Sequence, residues 1–164
     1  MKGFVLVLAT CVALTNAKKI QGPIKALDDF GEMITCLANI GYYEMSYYTD
    51  YGCFCGYGGS GTPVDPTDIC CQIHDQCYTE AVKPDYGCGW FDTYATDYDY
   101  VESIDAAGNC AIRCKTEKEY PASDSNAKCR AFMCECDRKG AQCFANERGT
   151  FNKGSFYNYP SSKC

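Results

Sequence analysis

Across its 164 residues the chain carries 15 cysteines and a formal charge of −6. That balance excludes a nucleic-acid-binding surface and offers no general attraction to anionic membranes. No segment beyond the first 17 residues is apolar enough to cross a bilayer of roughly 30 Å, which argues against a spanning protein.

Residues 1–17 read as a signal peptide: Lys2 precedes an apolar run over 4–14, and Thr15-Asn16-Ala17 puts small residues where a signal peptidase inspects the chain. Export suits the cysteines. Cys11 leaves with the leader, and the remaining even set of 14 implies seven disulfides in an oxidising compartment. Each bridge contributes on the order of 2–4 kcal/mol, not additively, so a single domain with a thin core is expected. Residues 18–25 are basic and contain Gly22-Pro23, as a short propeptide would. Lys2, Lys18, Lys19 and Lys25 all precede Ala26 and no acidic residue does, so the domain over 26–164 holds 11 basic against 21 acidic residues, a net charge of −10.

From Ala26, the apolar residues Leu27, Phe30, Met33, Ile34 and Leu37 recur at intervals of three and four, one face of an amphipathic helix. Residues 51–65 hold five glycines and a proline and must form a loop with unusual turns. A helix then starts cleanly, with Asp65 as N-cap, Pro66 at the first helical position and Asp68 three residues beyond the cap, and should run to about Val82, before Pro84. The aromatic stretch over 90–100 suggests a short hairpin. After the breaker run over 121–126, a second long helix is expected over 127–144.

Cys70 and Cys77 in the first long helix, and Cys136 and Cys143 in the second, are each seven residues apart, two turns on one face. Bridging Cys70 to Cys143 and Cys77 to Cys136 locks the helices antiparallel. His74 then lies between the two rungs, and Asp137 directly follows one of them. His74 is the only histidine in the chain, so a general-base step near neutral pH falls to it; a lone histidine, taken by itself, is more often structural. A carboxylate on its far nitrogen fixes the tautomer and stabilises the imidazolium, and Asp137 is the candidate. Asp75 and the backbone carbonyls of the glycine loop are the hard oxygen donors that Ca²⁺ takes, although such a loop can be a simple turn. Cys70, Cys71, His74, Asp75 and Cys77 are also zinc-ligand types at helical spacing, yet disulfides are the better use of an even cysteine set outside the cytosol.

Three blocks, YGCFCGYGGSGTPVD, DICCQIHDQCY and CRAFMCECDRKGAQC, resemble the secreted phospholipase A2 family, in particular its pancreatic and cobra-type (group I-like) branch. The resemblance covers nearly all of 26–164. It implies a mainly α, disulfide-rich fold: two long antiparallel helices cross-linked by disulfides, an N-terminal helix, a Gly-rich calcium loop and a small β-hairpin. It implies hydrolysis of the sn-2 ester of glycerophospholipids, with His74 as the base that activates water and Asp137 as its partner. Asp75 and the carbonyls of Phe54, Gly56 and Gly58 would hold one Ca²⁺ per chain, in the weak extracellular regime of about 10⁻⁴ to 10⁻³ M. The Gly56 N–H would steady the oxyanion, and Tyr78 and Tyr98 would support Asp137.

Beside the two rungs, the resemblance implies the bridges Cys36–Cys110, Cys53–Cys164, Cys55–Cys71, Cys88–Cys129 and Cys114–Cys134. It also implies a zymogen opened after Lys25, whose freed Ala26 amine joins the network near Asp137. The expected partner is aggregated phospholipid, met peripherally by a secreted monomer; Leu27, Tyr47, Tyr48 and Trp90 are candidate contacts unless they pack in the core. Three spacings depart from the family: 88–110 is long, 110–114 is short, and an extra residue stands between Cys36 and Cys53. A non-catalytic binding protein or toxin on the same scaffold is the rival reading; the presence of both His74 and Asp75 argues against it.

Overall fold

The computed structural model describes residues 25–164. The signal peptide over 1–17 and, but for Lys25, the propeptide over 18–25 lie outside the described residues. Among the described residues no helix is long and apolar enough to cross a membrane.

Helix α1 (Lys25–Leu37) buries Met33 and Ile34 against the second long helix and leaves Leu27, on the same stripe, exposed. A short helix α2 (Tyr42–Met45) runs into a 3₁₀ turn over Ser46–Asp50. Helix α3 (Pro66–Ala81) begins as its cap chemistry requires: extended Asp65 accepts a hydrogen bond from the Asp68 amide at 2.8 Å, and proline holds the first position.

The hairpin expected over 90–100 is not there. That stretch contains helix α4 (Asp92–Ala95), because the Asp92 carboxylate accepts from the Gly89 amide at 2.6 Å and closes a turn that a strand cannot contain. The hairpin lies just downstream, as β1 (Tyr100–Ile104) and β2 (Cys110–Cys114), paired antiparallel with Tyr100 opposite Cys114 and Ile104 opposite Cys110. Its turn is fixed by Asp105, which accepts from the Ala107 and Asn109 amides at 2.8 Å each, and by Gly108 at φ +86°.

Helix α5 (Ala127–Asn146) packs along α3, and a last short helix α6 (Lys153–Phe156) follows. The fold is mainly helical with one small sheet. Its fourteen described cysteines form Cys36–Cys110, Cys53–Cys164, Cys55–Cys71, Cys70–Cys143, Cys77–Cys136, Cys88–Cys129 and Cys114–Cys134. The core between α1, α3 and α5 is correspondingly thin: Met33, Ile34, Met133, Ala141 and Phe144 share it with buried cystine sulfurs.

Candidate active site

The rungs Cys70–Cys143 and Cys77–Cys136 hold α3 against α5 above and below His74. Between them, His74 Nε2 lies 2.7 Å from Asp137 Oδ1. Asp137 is fully buried, and two phenols complete its shell: Tyr78 donates to Oδ1 at 2.7 Å and Tyr98 donates to Oδ2. Burial first, and the Asp137 charge second, hold both phenols well above their ordinary pKa, so each remains a donor. Three donors on two oxygens satisfy a charge that would otherwise be prohibitive in the interior. Since a carboxylate only accepts, Nε2 carries the proton and Nδ1 keeps the basic lone pair.

The imidazole plane is set by packing. Phe30 of α1 stacks on His74 at 4.2 Å between ring centroids with 5° between planes. On α5, Gly140 makes room: a Cβ there would stand 2.8 Å from His74 Cδ2 and 3.2 Å from the Phe30 ring. Neither contact is legible from local pattern, although a glycine three residues after a candidate carboxylate in a helix is an available signal.

Asp75, one position along α3, lines the same cavity of about 690 Å³ as His74, Phe54, Gly56 and Gly58. Its carboxyl is raised to about 6, chiefly by burial, which His74 opposes and the Asp68 charge assists to a smaller extent. Among the described residues, no hydrogen bond reaches the carbonyl oxygens of Phe54, Gly56 or Gly58. A desolvated carboxylate beside unused carbonyl oxygens is the donor set of a hard cation, and these residues fit Ca²⁺. Zinc does not fit, because Cys70, Cys71 and Cys77 are all spent in bridges.

The loop is fixed from behind by Asp68, whose local sequence announces only a helix start. Fully buried, it accepts from the Cys53 amide at 2.7 Å and the Val64 amide at 3.0 Å through Oδ2, and from the Phe54 amide at 2.8 Å through Oδ1. Only glycine at position 52 admits it: φ is +63°, and a Cβ would fall 2.3 Å from the Asp68 carboxyl carbon. Gly56 is equally constrained, at φ +119° with the Thr49 carbonyl oxygen 2.6 Å from any Cβ. Below the loop, buried Tyr51 donates to Asp65 Oδ2 and accepts from the Asn152 amide at 2.9 Å, tying loop, helix cap and C-terminal segment together. Asp68→Asn turns one acceptor oxygen into a donor facing amide N–H groups. It should cost about 2–3 kcal/mol of stability and weaken calcium binding; a melting curve unchanged from the parent would refute the anchoring role.

Of the residues singled out for lipid contact, Leu27 and Trp90 are exposed at the cavity mouth. Tyr48 is not available: it is buried between Phe144 and Phe151, at centroid distances of 4.7 and 4.5 Å. Tyr47 is half-buried, with Tyr157 on its edge and Lys153 Nζ 3.4 Å over its ring.

Residues 27–155 match the family model described as Phospholipase A2. The chain is similar to "Phospholipase A2 AP-PLA2-I" of Acanthaster planci, with 48% identity over 161 residues covering 98% of this chain and 99% of the relative. It is also 48% identical to "Phospholipase A2 AP-PLA2-II" of the same organism over 164 residues, all of both chains.

Proposed function

Because this chain belongs to the phospholipase A2 family and is a phospholipid hydrolase, we propose that it cleaves the sn-2 ester of glycerophospholipids by direct attack of water in a calcium-dependent reaction. The observation that carries this reading is the His74–Asp137 hydrogen bond in a cavity shared with Asp75 and the glycine loop. No serine-type nucleophile is needed. His74 takes a proton from water at Nδ1 as the oxygen attacks the ester carbonyl, and Asp137, held by Tyr78 and Tyr98, stabilises the imidazolium. The Gly56 amide donates to the developing oxyanion. As the tetrahedral carbon collapses, His74 returns the proton to the leaving alkoxide, giving a fatty acid and a lysophospholipid.

The carbonyls of Phe54, Gly56 and Gly58 and the Asp75 carboxylate would hold one Ca²⁺, which when bound supplies positive charge for the substrate phosphate and the ester oxygen. Asp68 and the Cys55–Cys71 bridge keep those donors in place beforehand. Apolar walls from Phe30, Ile34, Met45 and Phe144 suit an acyl chain and exclude water. The same reading makes the chain a secreted monomer, with residues 1–17 lost, 18–25 a removable propeptide and 26–164 the catalytic domain; of these, the seven disulfides support the secretion. The Cys36–Cys110 bridge supports the pancreatic and cobra-type branch.

A phosphatidylcholine carrying different acyl chains at its two ester positions tests this reading. With calcium, the protein beginning at Ala26 should release the sn-2 acid alone, and a chelator should stop release. Equal release in the chelator, or release of the sn-1 acid, would defeat it.

A further inference from the structure

Helix α1 carries Gly31 in its interior, where glycine weakens a helix. The backbone there is not in the left-handed region, so what the position requires is the absence of a side chain. A Cβ at Gly31 would stand 2.9 Å from the terminal methyl carbon of Met45 and 3.6 Å from its sulfur. The tip of Met45 therefore rests in a notch on α1, and both residues line the cavity that holds His74.

The walls around that notch are stiff. Phe30 is stacked on His74, Phe144 lies 6.2 Å from Phe30 and 4.7 Å from Tyr48, and Tyr48 is stacked on Phe151 at 4.5 Å, so the rings brace one another. Ile34, which also lines the cavity, is buried and β-branched. The backbone that carries Met45 is fixed from both sides in sequence: Glu44 pairs with Arg148 at 2.8 Å, and Tyr47 lies under Lys153 Nζ. The Met45 amide itself donates to the Gly41 carbonyl at 3.0 Å. Met45 has the one long, unbranched apolar side chain among the residues lining the cavity, and such a thioether changes rotamer readily.

The rest position of that side chain therefore decides the width of the cavity between α1 and α2. Withdrawn into the notch, the tip leaves room beside the rings; driven out of it, the tip fills that room. A saturated acyl chain lies extended and leaves the room empty, which forfeits contacts. A cis double bond kinks the chain sideways into it.

Resting on the phospholipase reading, we propose that the Gly31–Met45 contact sets acyl specificity, making the site take cis-unsaturated sn-2 chains in preference to saturated ones. Met45 is the adjustable part of the wall, and Gly31 is the space that receives it. The pair acts on the chain and not on the ester, so its effect falls on the choice between substrates.

A competition within one detergent micelle tests this. The secreted protein is given, with calcium, equal amounts of two phosphatidylcholines that share an sn-1 chain and carry stearoyl or linolenoyl at sn-2. Because both compete on the same particle, the ratio of acids released is independent of surface binding and of the fraction of protein folded. The parent should release linolenate in excess of stearate. Gly31→Ala, which evicts the Met45 tip from the notch, should lower that ratio about tenfold, as a misplaced methyl group in an apolar site does. Met45→Ile, stiff at its branched carbon, should lower it in the same direction. The double variant Gly31→Ala/Met45→Ala should restore it, since the shortened side chain no longer needs the notch. Stearate equal to or above linolenate in the parent, a parent-like ratio in Gly31→Ala, or no recovery in the double variant would each overturn the proposal. No release of either acid by the parent would overturn the phospholipase reading instead.

Discussion

Asp75→Lys is expected to abolish calcium binding and to lower phospholipid hydrolysis by about 10³-fold or more, with the fold retained. Asp75 is the one carboxylate among the proposed calcium donors, and the substitution installs an ammonium where the cation would sit. Two like unit charges about 4 Å apart at a partly buried site repel by about 4 kcal/mol, which already corresponds to roughly three orders of magnitude. The loop does not depend on Asp75 for its shape, because Asp68, Tyr51 and the Cys55–Cys71 bridge hold it from the other side. Calorimetric titration with calcium is the decisive measurement: affinity equal to the parent's would remove Asp75 from the ligand set. Circular dichroism separates loss of the site from loss of the fold.

His74→Gln should reduce turnover by about 10²- to 10⁴-fold, the range a positioned general base supplies, while leaving calcium affinity within about threefold because no proposed donor is altered. Glutamine suits the test because its amide can still donate to Asp137, so the buried carboxylate keeps three donors and stability changes little. What it lacks is a basic nitrogen. A variant that retained the parent's rate would show that another group takes the proton.

Legibility in the sequence followed how local the cause was. Helix α3 announced itself because its start is written in three neighbouring residues, Asp65, Pro66 and Asp68, and the seven-residue cysteine spacings foreshadowed two parallel rungs and so the meeting of His74 with a carboxylate from α5. Aromatic enrichment over 90–100 resembles strand composition, whereas the feature that decides the hairpin, Asp105 closing a turn on Ala107 and Asn109, lies a few residues further on. Asp68 could be read as a helix-start acid but not as the anchor of the glycine loop, since that role exists only once Gly52 brings the loop backbone against it. Tyr48, in the 3₁₀ turn over Ser46–Asp50, and Trp90, in the turn before α4, are both aromatic residues that no local pattern tells apart. Tertiary packing against Phe144 and Phe151 buried one and left the other in solvent.

The two rungs that flank His74 and Asp137 have a cellular consequence. Base and partner come from helices whose juxtaposition depends on covalent cross-links more than on a large core. In a reducing compartment those cross-links do not persist, and the two helices that bring His74 and Asp137 together lose their covalent restraint. On the proposed mechanism, a chain kept under reducing conditions should therefore be inactive, and its activity should appear only as the two rungs form.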